Sequence, residues 1–167
     1  MAINAWLNSD AELAALLTEQ VLDLAELTLK PRLRRVVVGI AVRPENFQQI
    51  RLANGSPRLA DVPPDQDAME FELHFKGAEL DILTTRAPGG SGAIAKFLEK
   101  FGEGIQQVEY FLPDVDRATE ILRTRLHQQP IYPQTRAGAD GTRVNLFLAA
   151  DPQGQKVLVE LVEQTGA

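Results

Sequence analysis

Apolar side chains recur at intervals of three and four residues near the start of the chain, which is the spacing of one helical face. This stripe is formed by Leu13, Leu16, Leu17, Val21, Leu24 and Leu27. Ser9 or Asp10 can cap the start of the helix and Pro31 stops it, so the pattern predicts a helix over 10–29. Its apolar face is buried either on its own domain or on a second subunit, and the sequence leaves both alternatives open.

The pattern after this helix changes to that of strands. The continuous β-branched run 36–42 predicts a buried strand. Residues 44–67 hold four prolines and an Asn-Gly turn, which predicts mostly loop with a short helix near 47–52. Residues 68–75 alternate between apolar and polar side chains, and a Lys-Gly turn joins them to 79–84, so the two runs are expected to form a hairpin.

A helix capped by Ser91 and closed by Gly102 leads into a second half with the same order of elements. That half is predicted to contain a strand at 105–112, a helix capped by Asp114, a short extended piece near 131–132, a strand at 143–149, a turn at 152–154 and a last strand at 156–162. The order of strand, helix or loop, short strand and hairpin therefore occurs twice. We predict an α+β fold in which two βαβββ repeats form a curved mixed sheet around a cavity, with an added N-terminal helix.

Length, charge and composition exclude several classes of function. The 167 residues suit one domain, whereas a net charge of -6 and a pI near 5.0 argue against nucleic acid as a partner. The absence of cysteine excludes disulfides and thiolate chemistry. The apolar runs are too short to cross a bilayer and no secretory signal precedes the first helix, so no membrane partner and a cytoplasmic location are expected.

Four segments carry a resemblance to a known family. The stretch 91–109 is similar to the signature of the methylmalonyl-CoA epimerase family, in which a comparable helix runs into Gly-Leu-His-His-Ile. Segments 39–42, 79–83 and 157–163 resemble strands of that family and of the wider vicinal oxygen chelate superfamily, which includes the glyoxalases and bleomycin-resistance proteins. The resemblance implies an extension over 1–32 and a glyoxalase-like domain over 33–167, with modules at about 34–103 and 104–163.

The resemblance also implies a divalent metal held by one side chain from each of four strands. The family's four ligand positions fall at Val37, which cannot ligate a metal, and at Asp81, Gln107 and Glu160, which form the tentative metal set. In the family, the glutamate that matches Glu160 acts as a base on a proton beside a thioester carbonyl. The family's His-Pro-Lys turn is replaced here by residues 149–153.

Strand alternation extends the predicted cavity lining beyond these positions. The side chains expected to contact a ligand are those of Glu72, His74, Glu109, Phe111, Arg143, Asn145 and Phe147, and alternation also places Glu70 with Glu72 and His74. Carboxylates gathered on one face repel one another. A cation with His74 as an added ligand, neutralisation by Arg143, and simple solvation are the three alternatives that relieve this repulsion.

Three functions remain open from the sequence. The chain is an enzyme of the epimerase or glyoxalase type acting on a small carboxylic or thioester compound, or a metal-free protein that binds a small molecule, or a structural descendant whose N-terminal helix covers the cavity. A divalent metal belongs only to the first alternative. By resemblance, and because the first helix offers an apolar stripe, a homodimer is expected.

Overall fold

The computed structural model describes residues 2–150 and 156–164, so the predicted turn at 152–154 lies outside the described residues. The chain divides into two compact units. We call residues 37–109 and 137–142 the central unit, and residues 1–36, 110–136 and 143–167 the terminal unit. Among the described residues, no helix combines the length and the apolar character needed to cross a bilayer.

The central unit is built on four strands that hydrogen-bond in the order β4, β5, β3, β6. Its elements are β3 (Val36–Ala41), α3 (Pro44–Ala53), β4 (Ala68–Phe75), β5 (Ala78–Thr85), α4 (Ala93–Phe101) and β6 (Gly104–Phe111), together with 3₁₀ turns at Pro64–Gln66 and Ala139–Gly141. Strand β4 is antiparallel to β5, whereas β5 is parallel to β3. Parallel neighbours require a crossover, which α3 and the following loop supply.

The strand register gives the central sheet one apolar side and one side, called the polar side, that carries the polar side chains together with the buried Ala41 and Leu83. On the apolar side Phe47 of α3 packs edge-on against Phe71, with ring centroids 4.9 Å apart, and Val42 and Ile82 complete the cluster. On the other side Glu72 of β4 lies opposite Asp81 of β5, which lies opposite Gly39 of β3. Since alternate residues of a strand point to opposite sides, helix α3 buries one set and leaves the polar set to the other side.

The loop that follows α3 is held against strand β4. Pro44 occupies the first turn of α3, where its missing N–H costs no hydrogen bond. Beyond the end of the helix, the Ala60 N–H donates to the Glu70 carbonyl at 3.0 Å. The loop therefore lies alongside Glu70.

The terminal unit contains both ends of the described chain. Its elements are α1 (Ala2–Ser9), α2 (Ala11–Leu17), β1 (Thr18–Asp23), β2 (Thr28–Leu33), α5 (Val115–Thr124), β8 (Arg143–Ala150) and β9 (Lys156–Glu163), and the two-residue strand β7 (Arg136–Ala137) joins β8. Strands β8 and β9 form an antiparallel hairpin in which Glu160 lies opposite Leu146. Strands β1 and β2 form a separate two-stranded sheet.

The predicted helix over 10–29 is wrong in its second half. Asp10 does cap a helix, accepting hydrogen bonds from the backbone N–H groups of Glu12 and Leu13 at 3.0 Å, but this helix ends at Leu17. Residues 18–33 form an antiparallel hairpin instead. The run after Leu17 includes the β-branched residues Thr18, Val21 and Thr28, which favour a strand, and the helical stripe hid this signal.

The predicted fold class is confirmed, with its two repeats in the expected order. Elements β6, α5, β7, β8 and β9 form a complete βαβββ module. The first module, β3, α3, β4 and β5, has a loop where the short strand between the helix and the hairpin was expected. The division between an extension at 1–32 and a domain at 33–167 stays a prediction.

Candidate functional site

Three polar side chains are buried on the polar side of the central sheet. Asp81, Gln107 and Glu109 are each less than a tenth exposed. The amide nitrogen of Gln107 donates to Oε1 of Glu109 at 3.2 Å, because both side chains leave β6 on the same side. Buried polar groups are costly unless they are hydrogen-bonded, so this pair is specifically arranged.

Gly39 allows Gln107 to lie across the sheet. A Cβ atom built at Gly39 would lie 2.5 Å from Cγ of Gln107 and 3.1 Å from Cδ1 of Leu83. Gly39 is the register partner of Asp81 on the neighbouring strand. The absent side chain at position 39 therefore leaves room for the Gln107 amide beside the strand that carries Asp81.

Gly39→Ala is accordingly expected to destabilise the protein by about 1–3 kcal/mol, because Gln107 must leave its rotamer to make room. Chemical denaturation at neutral pH measures the change in the free energy of unfolding. Gly104→Ala is the matched control, since a Cβ there meets no described atom within 4 Å, and a change below about 0.5 kcal/mol is expected. Equal effects of the two substitutions would contradict the assigned packing.

Glu70 is a carboxyl group of the central unit whose proton affinity is raised. Burial raises its pKa from the ordinary 4.5 to about 7, and the negative charges of Glu109, Asp140 and Glu72 add to the rise. Desolvation and like charges both disfavour the ionised form. Glu70 therefore exchanges a proton near neutral pH, as a general acid or base must.

An ion pair fixes the loop that borders Glu70. Arg58 binds Asp140 with both terminal nitrogens, at 3.1 Å and 2.5 Å, and the Asp61 N–H donates to Oδ1 of Asp140 at 2.8 Å. The Arg58 guanidinium, followed by the Asp61 N–H, holds the pKa of Asp140 below its usual range. Asp140 thus stays ionised and keeps its negative charge within reach of Glu70.

The far end of the polar side is exposed. There the His74 imidazole lies between two carboxylates, with Nε2 3.3 Å from Glu72 and Nδ1 3.8 Å from Glu79. One ligand atom from each residue lies within 4.8 Å of the others. Of the predicted ligand-contacting residues, Glu72 and His74 therefore lie on the predicted side, at its solvent-exposed end.

The divalent metal implied by the resemblance does not fit the donors that the central unit provides. Three of the four family positions lie in this unit, at Val37, Asp81 and Gln107. Val37 is fully buried and has no lone pair, and the Gln107 side chain offers a single neutral amide oxygen. One carboxylate and one amide fall short of the several oxygen or nitrogen ligands of a divalent ion. We derive no chemical step through a metal.

Four of the remaining predicted residues lie on the two sides of the β8–β9 hairpin in the terminal unit. Glu160 is half-buried and shares its side of the hairpin with its partner Leu146. Arg143, Asn145 and Phe147 point to the opposite side. The strand pattern defined these two sets, but it did not show which set the helices cover.

Arg143, Asn145 and Phe147 contact neighbours within the terminal unit. Phe147 is buried against the edge of the Trp6 ring, with centroids 6.1 Å apart. Asn145 is fully buried, and Arg143 binds Glu163 and Asp116 of α5. They take part in packing and ion pairing inside the terminal unit, and their contact with a ligand stays a prediction.

Phe111 has a cation as its neighbour. The guanidinium of Arg35 lies over its ring, 4.2 Å from the centroid, and the Phe111 N–H donates to the Arg35 carbonyl at 3.0 Å. The ring is half-buried. Its role in binding a ligand stays a prediction.

Glu70 is a candidate functional residue that the strand pattern did not single out. Alternation along 68–75 grouped it with Glu72 and His74, but the pattern gives no depth along the strand. Glu72 and His74 lie near the turn of the β4–β5 hairpin. Glu70 lies farther from the turn, opposite Leu83. Glu70 lies farther along the sequence from the hairpin turn at 76–77 than Glu72 does. This distance is the signal that could have favoured Glu70 as the more buried carboxylate.

Comparison with known proteins identifies similar solved structures. Neither a protein-family model nor a curated protein matches the sequence. Methylmalonyl-CoA epimerase from Mycobacterium tuberculosis is 30% identical, with a TM-score of 0.63, over 78% of this chain and 87% of that chain. A variant of the Streptomyces coelicolor enzyme in complex with 2-nitronate-propionyl-CoA is 24% identical, with a TM-score of 0.66, over 81% and 98%. A hypothetical protein from Bacillus halodurans is 20% identical, with a TM-score of 0.63, over 80% and 98%.

Proposed function

Because the chain belongs to the vicinal oxygen chelate superfamily and is similar to its methylmalonyl-CoA epimerases, we propose that it transfers a proton on a small carboxylic or thioester compound. The observation that carries this proposal is Glu70, a deeply placed carboxyl group whose pKa is raised to about 7. A fold alone does not define an activity, so the proposal depends on this residue and its neighbours.

The chemistry needs a base that is partly ionised at neutral pH. The Glu70 carboxylate takes the proton from the carbon next to the carbonyl group, and the electron pair of that C–H bond moves to the carbonyl oxygen as an enolate. Return of the proton from Glu70 to the same face regenerates the compound, and proton transfer from water or a second acid to the opposite face inverts it. A base with a pKa near 7 serves both directions, because its two protonation states are populated together.

Two other residues have a role in the proposal, one because of its amide group and one because of the family resemblance. Gln107 contributes an amide N–H donor on the polar side, of the kind that stabilises a developing oxyanion. The resemblance assigns a base to Glu160, and this assignment is tested by Glu160→Gln in the assay described below. Neither role requires a metal.

Proton exchange into a probe compound tests the activity directly. The probe is methylmalonyl-CoA, which is bound in one of the similar epimerase structures. Incubation in D₂O with the purified protein is expected to incorporate deuterium at the carbon beside the thioester, as followed by NMR. Bound probe without deuterium incorporation would overturn the proposed catalysis for this compound.

Metal removal gives a separate prediction. We expect chelation to leave both the melting temperature and the exchange rate unchanged within error, because Val37 and Gln107 fall short as ligands. Elemental analysis of the purified protein, combined with melting curves before and after chelation, makes the measurement. A stoichiometric divalent ion whose removal lowers the melting temperature would contradict this prediction, since a bound metal stabilises the folded state.

A second candidate function is metal-free binding of a small molecule without catalysis. It is favoured by Val37, whose buried hydrocarbon side chain occupies a position where the family pattern has a histidine ligand. This alternative predicts that methylmalonyl-CoA raises the melting temperature, with or without chelator, while deuterium exchange stays at the background rate.

A further inference from the structure

The loop after α3 covers the part of the polar side that lies next to Glu70. We call residues 57–62 the cover loop. Its Ala60 and Val62 pack into the same hydrophobic cluster as Leu83, and Leu83 is the register partner of Glu70 on β5. Side chains of directly opposed residues lie on the same side of a sheet. The apolar part of the cover loop therefore shields the sheet beside the Glu70 side chain.

Asp140 fastens the cover loop through three contacts. The Asp61 N–H donates to its Oδ1 at 2.8 Å, and the Asp140 N–H donates to the Asp61 carbonyl at 3.0 Å. The Arg58 guanidinium donates to both carboxylate oxygens, at 3.1 Å and 2.5 Å. Bidentate pairs between arginine and a carboxylate are among the stronger polar contacts in proteins. One residue therefore holds the cover loop at two positions, although Asp61 and Asp140 are 79 residues apart in the sequence.

The backbone of Asp140 is in the left-handed region, with φ at 49°. Residues other than glycine rarely adopt this conformation, although aspartate and asparagine do so more readily than most. Such a conformation persists only where the surrounding structure fixes it, and an observed case suggests a function. The neighbouring Ala139 packs against the same hydrophobic cluster as Ala60. The 3₁₀ turn that carries Asp140 is therefore arranged to meet the cover loop.

We propose that Asp140 is a positioning residue for Glu70, because it holds the cover loop against β4 and so fixes the surroundings in which Glu70 exchanges protons. This inference rests on the proposed function, in which Glu70 is the base. The cover loop keeps water from the Glu70 carboxyl group, and the Asp140 carboxylate adds a negative charge near it. Both effects favour the protonated form of Glu70.

The two effects differ in size. Burial is the largest cause of the raised pKa of Glu70, followed by the negative charges of Glu109 on β6, Asp140 and Glu72 on β4. Arg58 compensates part of the Asp140 charge, because it is bound to that carboxylate. Displacement of the cover loop should therefore lower the pKa of Glu70 more than the loss of the Asp140 charge alone does.

Two substitutions at position 140 separate the charge from the position of the loop. Asp140→Asn removes the charge, but it keeps an oxygen for the Asp61 N–H and tolerates the left-handed backbone. Asp140→Ala removes that acceptor as well. Carbon-13 NMR titration of the Glu70 carboxyl group, which Glu70→Gln assigns, measures the pKa. We expect it to fall from about 7 towards 4.5 in both variants, and further in Asp140→Ala.

Asp61→Asn is the matched control, since it removes an exposed carboxylate from the same loop and keeps the backbone contacts with Asp140. It should leave the pKa of Glu70 at its wild-type value. Hydrogen exchange gives a direct measure of the loop, because the Ala60 N–H donates to the Glu70 carbonyl. This amide should exchange at least about tenfold faster in Asp140→Ala, whereas the amides of β5 should keep their wild-type rates.

Equal pKa values in the two Asp140 variants, with unchanged exchange of the Ala60 amide, would overturn the proposal and leave Asp140 with an effect of charge only. The titration needs no substrate, so it is independent of the assay for the proposed function. In an active protein, the rise of deuterium exchange with pH should also move to lower pH in Asp140→Ala. Shifted pKa values in a protein that exchanges no deuterium would retain the positioning and overturn the catalysis. Unshifted values in an active protein would do the reverse.

Discussion

Glu70→Gln is expected to slow deuterium exchange into methylmalonyl-CoA by about 10²- to 10⁴-fold, which is the usual contribution of a positioned general base. Glutamine keeps the shape of the side chain and its capacity to donate and accept hydrogen bonds, but it cannot take up a proton from carbon. The NMR assay measures the loss. Glu99→Gln, a change of the same type at an exposed position of α4, should keep the wild-type rate.

The same substitution should stabilise the protein at alkaline pH. In the unfolded chain Glu70 ionises near 4.5, whereas in the folded protein it holds its proton until about 7. Between these values the folded state binds more protons than the unfolded state, so the free energy of unfolding falls as pH rises. Above the folded pKa the full cost is present. It amounts to at most about 3 kcal/mol, at about 1.4 kcal/mol for each step of one in pKa.

Denaturation curves at pH 4 and pH 8 separate this effect from a general change in packing. Glu70→Gln should resemble the wild type at the acidic pH and exceed it in stability at the alkaline pH. A variant that is inactive and equally destabilised at both pH values would show that Glu70 has a structural role only. A variant that retains full exchange activity would remove Glu70 from the proposed chemistry.

Phe47→Ala is expected to cost about 3–5 kcal/mol of the free energy of unfolding, the range for deleting a buried aromatic ring. Phe47 is fully buried and is the contact through which α3 packs against Phe71 of β4. Urea denaturation measures the loss. Phe101→Ala removes a ring that is largely exposed at the end of α4, and it should cost much less. A loss below about 1 kcal/mol at position 47 would contradict the assigned core.

The sequence predicted the polar side of the central sheet because a strand has a strict period of two. Glu72, Asp81 and Glu109 lie on the predicted side, since nothing interrupts the alternation in β4, β5 or β6. The same period was insufficient for β8. Alternation divided its residues into two correct sets, but the set that α5 and Trp6 cover is decided by packing between distant segments.

The helix over 10–29 failed for a related reason. The spacing of Leu13 and Leu17 is truly helical, and both residues are buried in the terminal unit. Leu24 and Leu27 continue the same spacing, but they lie in the turn of the hairpin and not on a helix. Spacing alone does not separate a long helix from a short helix followed by a hairpin when both are rich in leucine.

The contact between Gly39 and Gln107 makes the two positions interdependent in evolution. A side chain at position 39 becomes tolerable only after Gln107 has been shortened, so the effects of the two substitutions should not add. Either order of mutation passes through a less favourable single mutant: one that is overpacked, or one that leaves a void and loses the hydrogen bond to Glu109. Related chains should therefore vary at both positions or at neither, and a library of single substitutions would miss the compatible pairs.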